Sequence, residues 1–204
     1  ARMAATYLEV QAAIVADAHD RRALSELGAA RERASRTLAE AERILRSSGV
    51  PKDAASRGEA EAQLATARAY AARIDGRDAP VLWDTIARAW EAVGDPYQVA
   101  RARWRQAEAS LPAKDAREGR AAGRGPLLEA VRIARELGAA PLLRQLEELA
   151  RRALITLPPD PAAAATVPDS GAGTAGPTEP GRGEAALAPR ARGAWGCSRP
   201  THPT

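Results

Sequence analysis

Between Trp83 and Leu154 the chain alternates stretches of helical periodicity with residues that start or stop a helix. It reads WDTIARAWEAVGDPYQVARARWRQAEASLP, then a Gly-rich break, then PLLEAVRIARELGAAPLLRQLEELARRAL. Apolar residues recur there at steps of three and four, which places them on one face of a helix. Asp78 with Pro80, Asp95-Pro96, Gly125-Pro126 and Ala140-Pro141 each read as a helix start. Proline in the first turn lacks only an N–H that has no intrahelical partner there. Gly94 fits the left-handed position that ends a helix, and Gly138 reads as a helix stop. Connections this short fold each helix back as an antiparallel neighbour. The stretch is therefore expected to form four helices stacked as two hairpins.

The expected inward faces follow from the spacing. They are Leu82, Ile86, Ala89, Trp90 and Val93 in the first helix, and Tyr97, Ala100, Trp104, Ala107 and Leu111 in the second. Trp90 and Trp104 are expected to close this hairpin. Arg101, Arg103 and Arg105 fall largely outside. Pro112 ends the second helix, and the charged, Gly-rich KDAREGRAAGRG that follows reads as a loop with at most one helical turn. Leu127, Ala130, Val131, Ala134 and Leu137 form the next face, and Leu142, Leu146, Leu149, Ala150 and Ala153 the last. Two helix–turn–helix units in tandem are loosely like tetratricopeptide repeats.

The flanks are less sharply marked. Residues 1–77 read as three helices, the first from residue 3 to a stop at Gly28, the second from about Ala30 to Ser47, and the third from about Asp53 to Ile74. Ser47 to Pro51 separates the second from the third. Residues 78–157 hold the tetratricopeptide-like hairpins. Residues 158–204 are Pro/Gly/Ala-rich and cannot bury enough apolar surface to offset the entropy of ordering, so a disordered tail is expected.

Hydrophobic content is 45%, but much of it is alanine, aromatics are 3%, and phenylalanine is absent. Alanine favours helix and buries little area per residue, so the core must be thin and spread over helix pairs. Period-two runs of β-branched residues are missing. The fold class is all-α. The net charge of +4 is small and its two signs are interspersed, which describes solvated helix faces rather than a basic nucleic-acid stripe. The single cysteine, Cys197, fits a reducing, cytoplasmic compartment. No apolar run approaches the roughly 20 residues of a membrane span. The chain carries no signal-peptide pattern, and its start at Ala1 implies a beginning within a longer protein.

No constellation of residues points to catalysis. GxxxxGK[ST] and GxGxxG are both absent, and Gly119 to Pro126 lacks the lysine, the hydroxyl and the strand of a phosphate loop. His19, His202 and Cys197 have no partners at metal-ligand or catalytic spacing. Glu147 and Glu148 point in different directions on one helix. Trp83, Trp90 and Trp104 read as core rather than a base-stacking platform. No catalytic, cofactor-binding, metal or nucleic-acid residue is therefore assigned, and no cofactor is expected.

One stretch resembles a known family. Trp83, Trp90, Gly94-Asp95-Pro96-Tyr97, Arg103-Trp104-Arg105-Gln106-Ala107-Glu108-Ala109, Leu137-Gly138-Ala139 and Leu149-Ala150-Arg151-Arg152-Ala153 are similar to the helical region of LuxR-family transcriptional regulators that carry an ATPase module, the MalT-like signal-transduction ATPases. The likeness covers about residues 78–157. It implies a non-enzymatic helical sensor or scaffold that relays ligand or partner signals to ATPase and DNA-binding modules. Protein partners or self-association are expected, with DNA reached only through a helix-turn-helix that this chain lacks. The P-loop domain of the family is missing too. Where a helix-turn-helix would follow, the chain reads EAALAPRARGAWGCSRPTHPT, which a one-base slip in GC-rich coding DNA would explain. The alternative is a stand-alone interaction or oligomerisation module.

Overall fold

A computed structural model describes residues 1–47, 53–113 and 115–159, and these form seven α-helices and no strand. In chain order, α1 spans Arg2–Asp20, α2 Leu24–Ser47, α3 Ala54–Ile74, α4 Pro80–Val93, α5 Pro96–Ser110, α6 Ala116–Glu136 and α7 Ala140–Ala153. The chain is all-α, as its composition requires. α1 packs on α2 and α3, and from α3 to α7 each helix packs on the next, most extensively α5 against α6 and α4. The disorder expected after residue 159 and the separation at Pro51 lie outside the described residues.

Caps explain where several helices begin. The Asp53 carboxylate accepts from the Ser56 N–H at 2.7 Å, and that of Asp95 from the Gln98 N–H at 3.1 Å. Pro80, Pro96 and Pro141 lie in the first turns of α4, α5 and α7. Gly94 takes φ +81 at the end of α4, and the Trp90 carbonyl accepts from the N–H groups of both Gly94 and Asp95.

Several expectations fail; Leu82, Tyr97 and Leu137, expected to face inward, are exposed, because they lie at the edges of their helices' packed faces. Asp78 does not cap α4; Ala79 holds that position without a side-chain bond. The Asp78 carboxylate is taken by the Trp83 indole N–H at 2.7 Å and by Arg73 at 2.7 Å. The first helix stops at Asp20, not Gly28, which lies inside α2. Arg22 adopts φ +58, Arg22 N–H bonds to the His19 carbonyl and Ala23 N–H to the Ala18 carbonyl. That is the helix-ending turn usually built on glycine, made here with arginine.

The expected loop KDAREGRAAGRG is instead mostly the first half of α6. Asp115 caps that helix by accepting from the Arg117 and Glu118 N–H groups, and Pro126 lies in its interior. A Cβ on Gly119 would lie 2.8 Å from the Leu111 carbonyl oxygen, and one on Gly123 would lie 3.0 Å from that of Ala107. These two glycines let α6 press against the backbone of α5.

The core is thin and alanine-rich. Ala67, Ala87, Ala100, Ala130 and Ala134 are fully enclosed, along with Leu8, Leu127 and Leu146. Trp83 and Trp90 are core as expected, at 1% exposure each. Tyr70 meets Trp83 edge-on at 5.0 Å between ring centroids, and the Trp90 indole donates to Thr66 Oγ1 at 3.1 Å. Trp104 is half-buried and borders α1 and α7, away from the α3 contact made by Trp90. Ile155 is buried, and Arg135 donates to the carbonyls of Pro158 and Pro159, so ordered packing runs past α7.

Candidate functional site

A further correction concerns α5, whose three arginines point inward. Arg103 lies 2.6 Å from Asp84 and 3.1 Å from Glu91, both on α4, and its Nε lies 2.8 Å from Glu129 on α6. The Nε–H does not point along that last line, so it is an ionic contact rather than a formed hydrogen bond. Arg101 pairs with Glu9 of α1. Arg105 bonds to Glu108 at 2.8 Å and lies 3.7 Å from Glu9, with its guanidinium 3.9 Å over the Trp104 ring. Arg73 of α3 reaches Asp78 at 2.7 Å and Glu108 at 2.9 Å. Residues two apart on a helix point about 200° apart. Since α5 has neighbours on those sides, each arginine meets carboxylates.

Titration shifts follow this geometry. The hydrogen bond from Arg103 holds the Asp84 carboxyl below the usual range, with Arg88 adding to it. Burial pushes the Glu108 carboxyl up, but Arg73 and Arg105 together outweigh it and the net displacement is downward. Burial raises the Tyr70 phenol. Every charge in this group has an opposite charge beside it, and no nucleophile sits against a base. The group clamps α1, α3, α4 and α6 onto α5.

Among the described residues, three surface features stand out. An open trough of about 590 Å³ runs along α2, α3 and α4, floored by Ala34, Leu38, Ala65, Ala69, Leu82 and Ile86. Glu42, Arg68, Asp75 and Arg77 also line it. A hollow of about 690 Å³ lies between α1, α5 and α7, lined by Val10, Ile14, Tyr97, Trp104 and Leu142. Val10 and Ile14 continue an exposed stripe on α1 with Met3 and Tyr7. Lastly, a polar crevice of about 280 Å³ lies between α1, α3 and the start of α5.

His19 is exposed in the last turn of α1. Glu147 is exposed, and Glu148 pairs with Arg151 and Arg152. His202, Cys197 and the frameshift reading fall outside the described residues. Among the described residues no group of three or more His, Cys, Asp or Glu is placed to hold a metal ion, and no helix is long and apolar enough to cross a membrane. No signal in the sequence marked α5 as the charged centre, because its arginines follow no apolar period. No protein-family model, curated protein or solved structure matches the chain.

Proposed function

We propose that this chain is a non-enzymatic helical sensor or scaffold segment of a LuxR-family, ATPase-type transcriptional regulator. It passes ligand or partner signals to ATPase and DNA-binding modules that these residues do not contain, and a cytoplasmic location goes with that role. The observation that carries the reading is the open apolar trough along α2, α3 and α4, beside an α5 whose inward arginines are each paired with carboxylates. A helical stack with a concave apolar channel suits docking of a protein segment, not proton transfer. The similarity between residues 78 and 157 supplies the family.

Reading the coding DNA on both sides tests it. The proposal expects an in-frame P-loop domain upstream and a helix-turn-helix downstream, in this frame or a shifted one. Finding neither sinks it and leaves a stand-alone interaction or oligomerisation module. The exposed stripe Met3, Tyr7, Val10 and Ile14, spaced like the apolar seam of a coiled coil, favours that second reading.

A further inference from the structure

Met3, Tyr7, Val10 and Ile14 of α1 are 83%, 38%, 52% and 41% exposed. Their steps of four, three and four residues are those of a heptad seam. At about 100° per residue the four side chains leave the helix within an arc of about 60°. The seam lies opposite Ala5 and Ala12, which α1 buries in the core. Between Arg2 and Asp17 the helix holds a single charge, Glu9, and that side chain turns to Arg101 and Arg105 of α5. Thr6 and Ala13, which flank the seam, are exposed, small and uncharged. In a chain with 27% charged residues, an exposed face that stays apolar and uncharged for about three turns marks a contact surface.

The seam is complementary to itself. Two copies of α1 laid antiparallel, with a two-fold axis midway between Leu8 and Glu9, set Met3 against the partner's Ile14 and Tyr7 against the partner's Val10. Charge selects this direction over the parallel one. α1 carries Arg2 and no acid in its first turn, and Asp17 and Asp20 in its last. Parallel pairing stacks like charges at both ends. Antiparallel pairing brings Asp17, the next residue of the seam, to the partner's Arg2 and opposes the two helix dipoles. Arg2 and Asp17 also pair with Glu59 and Arg21 of their own chain, all on the exposed surface. They therefore set direction more than affinity. We propose that α1 is a self-association site, on which a second copy of this chain docks as an antiparallel two-helix seam. Ile14 lines the hollow shared with Trp104 and Leu142, so the partner's Met3 reaches its mouth, and an unbranched thioether suits so irregular a space. The inference does not rest on the regulator reading, because a segment of a larger protein and a stand-alone module pair through α1 alike. The two tests therefore fail separately.

Sedimentation equilibrium of the full chain tests the site. A dimer of twice the 21.5 kDa chain mass forms with a dissociation constant below about 100 μM. Val10→Glu puts a carboxylate into the seam and weakens the dimer about tenfold or more. Its circular dichroism matches the parent's, because the side chain is exposed. Ile44→Glu, at an exposed apolar residue of α2, leaves the dimer within about twofold. Direction is read by cysteine cross-linking in a Cys197→Ser background. Tyr7→Cys and Val10→Cys chains, mixed and oxidised, join to each other faster than either joins to its own kind, because only the mixed pair shares a layer of the seam. The proposal is overturned by a chain that stays monomeric up to about 1 mM, which leaves the seam to a different protein. It is also overturned by a dimer that Val10→Glu leaves intact or that Ile44→Glu weakens as much, and by faster joining of like with like. The mass measurement uses the unsubstituted chain, so it decides even where a variant folds poorly.

Discussion

Gly119 in α6 and Gly28 in α2 both lie inside helices and predict opposite responses to the same substitution. A Cβ at Gly119 meets the carbonyl oxygens of Leu111 at 2.8 Å and Ser110 at 3.0 Å, and backbone cannot give way as a flexible side chain can. Gly119→Ala is expected to destabilise by about 1–3 kcal/mol. At Gly28 nothing lies within 4 Å, so Gly28→Ala gains helix propensity and stabilises by about 0.5–1 kcal/mol. Urea midpoints of the two variants check both signs. The pair shows why the sequence misled here. Glycine in a loop and glycine at a tight helix crossing look alike in composition, and only the neighbour distinguishes them. Arg22 is the converse case, a left-handed turn without the glycine that would have announced it.

For helices the limit was the number of neighbours. Periodicity located α4 and α7 well, because one face of each is apolar and inward: Ile86 and Trp90 in one, Leu142, Leu146 and Leu149 in the other. On α5 it failed, since that helix is packed on several sides and its inward polar groups are arginines matched to distant carboxylates. Pairing across tens of residues leaves no local trace. Arg103→Met keeps the stem but leaves Asp84, Glu91 and Glu129 without their shared cation, and is expected to cost about 2–3 kcal/mol. Denaturant unfolding at pH 7 measures it.

The same clamp sets the response of α5 to acid. Asp84 and Glu108 titrate below the ordinary carboxylate range when folded, whereas in the unfolded chain they return to about 4. Their contribution is therefore fully present above about pH 5 and is lost as the pH falls through the native values. Urea midpoints are expected to fall between pH 5 and pH 3, and Glu108→Gln is expected to make that fall shallower. An equally steep fall in the variant would place the acid-sensitive contacts elsewhere.

At the scale of the molecule, the all-α class was legible from composition, and the starts of α4, α5 and α7 from Pro80, Pro96 and Pro141. Only the second half of α6 was read as helix. The candidate site was not legible. Glu9 and Tyr70 carry no motif, and only folding brings α1 and α3 to the arginines of α5. α4, α5 and α6 form the organising unit, held by apolar packing and the Arg103 contacts. α1 is tied to α5 chiefly through the Glu9 pairs with Arg101 and Arg105. Native-state hydrogen exchange followed residue by residue tests this most directly, since local opening energies rank the cooperative units. The slowest exchange is expected in α5 and the facing halves of α4 and α6, with α1 and α2 exchanging at least about tenfold faster. Protection greatest in α1 and α2, or uniform across all seven helices, would contradict the account.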